Sequence, residues 1–69
     1  MAHELFTDEI DETVARMVVA GLPNKAIAAR LEMPEGTVKW RLHRMYARMG
    51  VQSRTRFVLE VRDHLGGGR

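Results

Sequence analysis

Residues 21–50 read GLPNKAIAARLEMPEGTVKWRLHRMYARMG, and the spacing within that stretch decides the fold. From Asn24 to Leu31, Ile27 and Leu31 stand four apart with Ala28 between them, which makes a short apolar stripe on one helical face. Glu32, Met33 and Pro34 then break the pattern, because Pro34 disfavours helical geometry at Met33. From Glu35 to Met49, the residues Val38, Leu42, Met45 and Met49 form a second, longer stripe, and Gly50 closes it. Two helices joined by so tight a turn predict a helix-turn-helix arrangement.

Upstream, Ile10, Val14, Met17 and Val18 predict a helix from about Asp8 to Ala20. Thr7 or Asp8 can cap its start, acids fill its first turn, and Gly21 suits a left-handed stop. Downstream, Ser53 caps a helix running to about Leu65 and burying Phe57, Val58, Val61 and Leu65. The expected architecture is all-α, a four-helix helix-turn-helix domain over residues 8–65. An N-terminal arm (1–7) precedes it, and a Gly-rich tail (66–69) that cannot hold a helix follows. Strand alternation, repeats and internal linkers are absent from the sequence.

Sixty-nine residues bound the chain to one domain, near the size at which a single core only just offsets chain entropy. Without cysteine there is no disulfide or thiolate metal site. His3, His43 and His64 lie far apart without metal-ligand spacing and read as surface residues, so neither metal nor cofactor is expected. No apolar run approaches the ~20 residues that span a bilayer, and the first residues lack a signal-peptide pattern. The expected location is the cytoplasm. An enzyme is not expected either, since no nucleophile–base pair or carboxylate dyad shares a face.

The net charge of +2 hides a lopsided distribution. Residues 1–35 carry seven acids against three bases, whereas residues 36–69 carry eight bases against Glu60 and Asp63. Between Gly36 and Leu59 there is no acid at all. Such a basic half is either a solvated cationic face or the footprint of a phosphate-binding surface.

The helix at 35–49 says more. At about 100° per residue, the side opposite its core stripe carries Gly36, Trp40, His43, Arg44 and Ala47, flanked by Thr37, Lys39, Arg41 and Arg48. A tryptophan ringed by cations and small residues marks a binding surface, unless it folds back over a neighbouring helix to complete the core. On the binding reading this helix enters the major groove of duplex DNA. Lys39 and His43 offer donors to base edges, Trp40 gives apolar contact, and Gly36 and Ala47 permit close approach. Thr37, Arg41, Arg44 and Arg48 then face phosphates. Asn24 and Lys25 at one helix start, and Ser53, Arg54 and Arg56 at another, add phosphate contacts where free backbone donors point outward. For any one of these positions a plain cap or a solubilising charge is the competing reading.

The string from Gly21 to Ala28, then Thr37-Val38-Lys39, then Met49-Gly50-Val51 and Ser53-Arg54-Thr55 resemble the LuxR/GerE-type helix-turn-helix of bacterial transcription regulators. The resemblance covers about residues 8–65. It implies four helices, no enzymatic activity, a recognition helix at 35–49, and base contacts at Lys39, Trp40 and His43. It also implies dimerisation through the fourth helix. There Leu59 points away from the core arc amid Thr55, Arg56 and Arg62, so a weak homodimer formed on DNA would pair Leu59, Thr55 and Arg62 with their symmetry mates.

The departures are equally specific. Pro23 and Pro34 stand where the family carries capping serines, and Ala26 and Arg56 stand where it carries the glutamate of a capping box. Ile10 and Asp11 replace an arginine–glutamate pair, and Arg41 replaces a histidine. With Arg41, residues 34–44 also resemble the promoter-reading helix of sigma-factor region four. RNA polymerase is therefore a further candidate partner. A protein-interaction module that pairs with another regulator is the third reading that the sequence leaves open.

Overall fold

In a computed structural model, which describes Phe6 and residues 8–66, four helices follow one another as the spacing predicts: α1 (Glu9–Val19), α2 (Asn24–Leu31), α3 (Glu35–Met49) and α4 (Arg54–Leu65). Asp8 is the cap of α1, its Oδ1 accepting from the Asp11 N–H at 2.8 Å, and Ser53 Oγ accepts from the Arg56 N–H at 3.1 Å to cap α4. Pro23 and Pro34 occupy the cap positions of α2 and α3 in extended geometry, with no side-chain hydrogen bond. Their fixed φ suits a helix entry, but the first backbone donors of both helices are left without a side-chain acceptor from the cap.

All three junctions end the preceding helix in one way. Leu22 N–H donates to Met17 O and Gly21 N–H to Val18 O; Met33 and Glu32 do the same to Ala28 and Ala29, and Val51 and Gly50 to Tyr46 and Ala47. This is the paired closure that requires a left-handed residue just past the helix. Gly21 (φ 97°) and Gly50 (φ 71°) supply it without strain, whereas Glu32 supplies it at φ 56° although it carries a Cβ.

The core is formed by Phe6, Val14, Ala15, Val18, Ile27, Ala28, Val38, Leu42, Met45, Val51, Phe57 and Val61. Helix α1 touches each of the other three helices, and α2 packs on α3, so α1 is the internal strut that sets the pose of the α2–α3 pair. Fully buried Phe57 contributes about 1.5–3 kcal/mol to so small a core.

Several residues depart from the expected pattern. Ile10, read as the first residue of the α1 stripe, is exposed, and Asp11 is buried in its stead, in register with Val14, Ala15 and Val18. Phe6, read as part of an arm, is a core residue. Val58, Leu65 and Met49 are only partly buried against the core. Thr7, the other candidate cap, and the tail residues 67–69 lie outside the described residues, as does His3.

Candidate nucleic-acid interface

The outward side of α3 presents Gly36, Lys39, Trp40 and His43 around a shallow depression. Trp40 is 58% exposed and does not fold back onto a neighbouring helix. Its ring lies under the Arg44 guanidinium, with Cζ 4.7 Å from the centroid, a cation–π arrangement one helical turn long. His43 is exposed and lies nearly parallel to Tyr46, with centroids 6.2 Å apart and planes 14° apart. Tyr46 in turn tilts against buried Phe57 at 5.1 Å. A Cβ at Gly36 would meet nothing within 4 Å, so this turn of α3 is open to close approach.

The cations divide into two groups. Lys39 and Arg48 are exposed on α3, and Lys25 is exposed at the start of α2. Arg41, read from the sequence as a phosphate contact, is instead turned inward. Its Nη1 donates to Asp11 Oδ1 at 2.7 Å and lies 3.4 Å from Asp8, and only 17% of its side chain is exposed. The cause is the buried Asp11 carboxylate, which at 0% exposure is tolerable only with partners of opposite charge. Arg44 Nη2 supplies the second bond, to Asp11 Oδ2 at 2.7 Å, while keeping 37% of its side chain exposed. The Asp11 hydrogen bond, with Asp8 behind it, raises Arg41 above the ordinary guanidinium value. Asp8 is held below 3.8, mainly by the Asp11 N–H bond, against an opposing effect of burial that outweighs the further help from the Arg41 hydrogen bond.

At the other end of the surface, Arg54 joins two helix starts. Its Nη1 donates to Asn24 Oδ1 and its Nη2 to Leu22 O, both at 2.7 Å. With Lys25 and Glu35 these residues line a second open groove, where α2 begins. Thr37 is half-buried, and the Ser53 hydroxyl is occupied as a cap. Leu59 is 47% exposed on α4, in a shallow patch with Thr55, Val58, Arg62 and Arg54, the last of which also lines the groove at the start of α2. The roles of Asp11 and Tyr46 escaped the reading of the sequence. An acid in register with Val14, Ala15 and Val18 is the signal that could have exposed the first.

Residues 11–61 match the model of the family described as "Bacterial regulatory proteins, luxR family". The chain belongs to the LuxR family. It is therefore a LuxR-family helix-turn-helix DNA-binding domain of a bacterial transcriptional regulator, in a family without enzymatic activity, and the sigma-factor alternative falls away. Among curated proteins it is similar to the HTH-type transcriptional regulator AlkS of Alcanivorax borkumensis, 40% identical over 50 residues. The alignment covers 72% of this chain and 6% of AlkS, so the chain spans a small fraction of the length of that relative. No solved structure matches. Among the described residues, no helix is long and apolar enough to cross a membrane.

Proposed function

We propose that this LuxR-family domain reads a specific duplex sequence with α3 in the major groove, Lys39, Trp40 and His43 meeting base edges. The observation that carries this reading is the open, acid-free face at Gly36, Lys39, Trp40 and His43, on which an aromatic ring stays exposed beside donors. Phosphate contacts come from Lys25, Thr37, Arg48 and the outward part of Arg44. Asn24, Ser53 and Arg54 build the second phosphate-facing edge, where Arg54 orders the start of α2. Arg41 drops out of this set.

Two copies pair through α4 at Leu59, Thr55 and Arg62, which sets the α3 helices on half-sites about ten base pairs apart. The patch is small, so the pair forms on DNA rather than in dilute solution. In the bacterial cytoplasm, a regulator bound beside a promoter has RNA polymerase as its further partner.

The test is to select bound sequences from random duplexes and then compare variants on the winner. Lys39→Ala and His43→Ala each lose about 1–3 kcal/mol on the selected site and little elsewhere. Arg48→Ala weakens all sequences alike. Identical behaviour of Lys39→Ala and Arg48→Ala would overturn the docking of α3.

A further inference from the structure

We propose that Asp11, a buried residue of α1 that is not itself part of the reading surface, is a positioning residue for Trp40, acting through Arg44, and that the indole so held favours thymine. The second half rests on the α3 reading above; the first does not. An exposed tryptophan on a helix has two rotatable side-chain bonds, and nothing on its own helix need fix it. A guanidinium over its face restricts it only if the guanidinium is itself fixed, and arginine is among the most flexible side chains. Here the anchor lies on another helix: Asp11 Oδ2 holds Arg44 Nη2 at 2.7 Å, and Arg44 Cζ lies 4.7 Å from the Trp40 ring centroid. Asp11 is itself immobilised, with 0% exposure and its other oxygen on Arg41 at 2.7 Å. The chain of contacts runs from the core to a ring that is 58% exposed.

The consequence is chemical as well as mechanical. With one face covered by Arg44, the indole offers its remaining face and edge to the depression it shares with Gly36, Lys39 and His43. The floor at Gly36 is bare, since among the described residues nothing beyond its chain neighbours and its own helix backbone lies within 4 Å of where a Cβ would stand. Of the groups that line a major groove, the 5-methyl of thymine is the apolar one. A fixed aromatic edge beside an open floor discriminates that methyl group from the hydrogen of uracil, which a freely rotating ring does less well.

Trp40 is the chain's single tryptophan, so its fluorescence reports on it alone. The free protein is measured first, by time-resolved anisotropy. Arg44→Met, which keeps a long apolar stem, raises the amplitude of fast indole motion by about twofold. The decisive variant is the double replacement Asp11→Leu with Arg41→Met. It exchanges the buried ion pair for apolar groups, a change such sites commonly tolerate, and leaves Arg44 in place without the Asp11 carboxylate. Fast motion rises in this variant as it does in Arg44→Met. Unchanged anisotropy in Arg44→Met, or in the double variant with helicity retained, overturns the relay.

The second arm replaces single thymines by uracil in the selected duplex. The wild type loses about fourfold in affinity at one position, the worth of one buried methyl group, and both variants lose that preference. A wild type that binds the selected site but ignores every uracil overturns the thymine assignment. A wild type that selects no sequence overturns the groove reading, and the anisotropy result stands apart from both.

Discussion

His43 rests on Tyr46, the two rings 6.2 Å apart and nearly parallel, and Tyr46 leans on Phe57 in the core. A residue proposed to read bases is thus braced by α4 through one intermediary, much as Trp40 is braced by α1 through Arg44. Tyr46→Leu keeps apolar volume but removes both aromatic contacts. It should lower stability by about 0.5–1.5 kcal/mol in urea unfolding. In that background His43→Ala should cost less on the selected site than it does in the wild type. Strict additivity of the two changes would show that the brace has no part in reading.

The dependence of DNA affinity on salt should reflect the outward-facing cations and not Arg41. Each neutralised phosphate contributes a slope of about −0.9 in log affinity against log salt. Arg48→Ala should make the line shallower by about that amount. Arg41→Gln should leave the slope unchanged while costing about 3 kcal/mol of stability, because it removes a partner of a buried carboxylate. A shallower slope in Arg41→Gln would return Arg41 to the phosphate contacts.

As the cap of α1, Asp8 should make the stability of the domain depend on acid. Its carboxyl is held below 3.8 in the folded state, so folding favours the ionised form. The stability this provides is fully present above the unfolded value and is lost as pH falls through the folded one. Asp8→Asn retains an acceptor for the Asp11 N–H and removes the charge. At pH 7 it should cost no more than about 1 kcal/mol, since Asp8 is half in water. Below about pH 4 its stability should decline less steeply than that of the wild type. Parallel acid profiles for the two proteins would exclude Asp8 as a source of the slope.

Leu59 supplies the test of pairing. Leu59→Glu places a charge in the α4 patch without touching the core, since Leu59 is 47% exposed. The variant should bind a single half-site as the wild type does and lose cooperativity on two half-sites spaced about ten base pairs apart. Retained cooperativity would move the pairing surface elsewhere.

The helices at 24–31 and 35–49 were legible because their boundaries are written in local chemistry: Pro34 after Met33, Gly50 after the last apolar residue. Exposure of Trp40 and Leu59 was legible from the helical angle for the same reason. Asp11 was not. Apolar periodicity assigns acids to water, and only Arg41 and Arg44, some thirty residues later, make its burial tolerable. The same blind spot hid the inward pairing of Arg41, which local pattern presents as one more surface cation. Arg54 is similar, since its reach to Asn24 and Leu22 depends on how α4 docks and on nothing adjacent to it. The local code carried the scaffold and its outward faces; pairings between distant charges had to come from the fold.

Gly36 sits in the first turn of α3 at an ordinary helical φ, with empty space where a side chain would begin. Nothing inside the domain calls for glycine there, and alanine would favour the helix by up to about 1 kcal/mol. A library of variants sorted for resistance to heat should therefore drift to alanine at this codon. The same library sorted for grip on an operator should keep glycine, provided that a sugar or base edge comes within a methyl group's breadth. Stability and fitness would then pull one position in opposite directions, and the gap between the two enriched populations would measure how closely the duplex approaches.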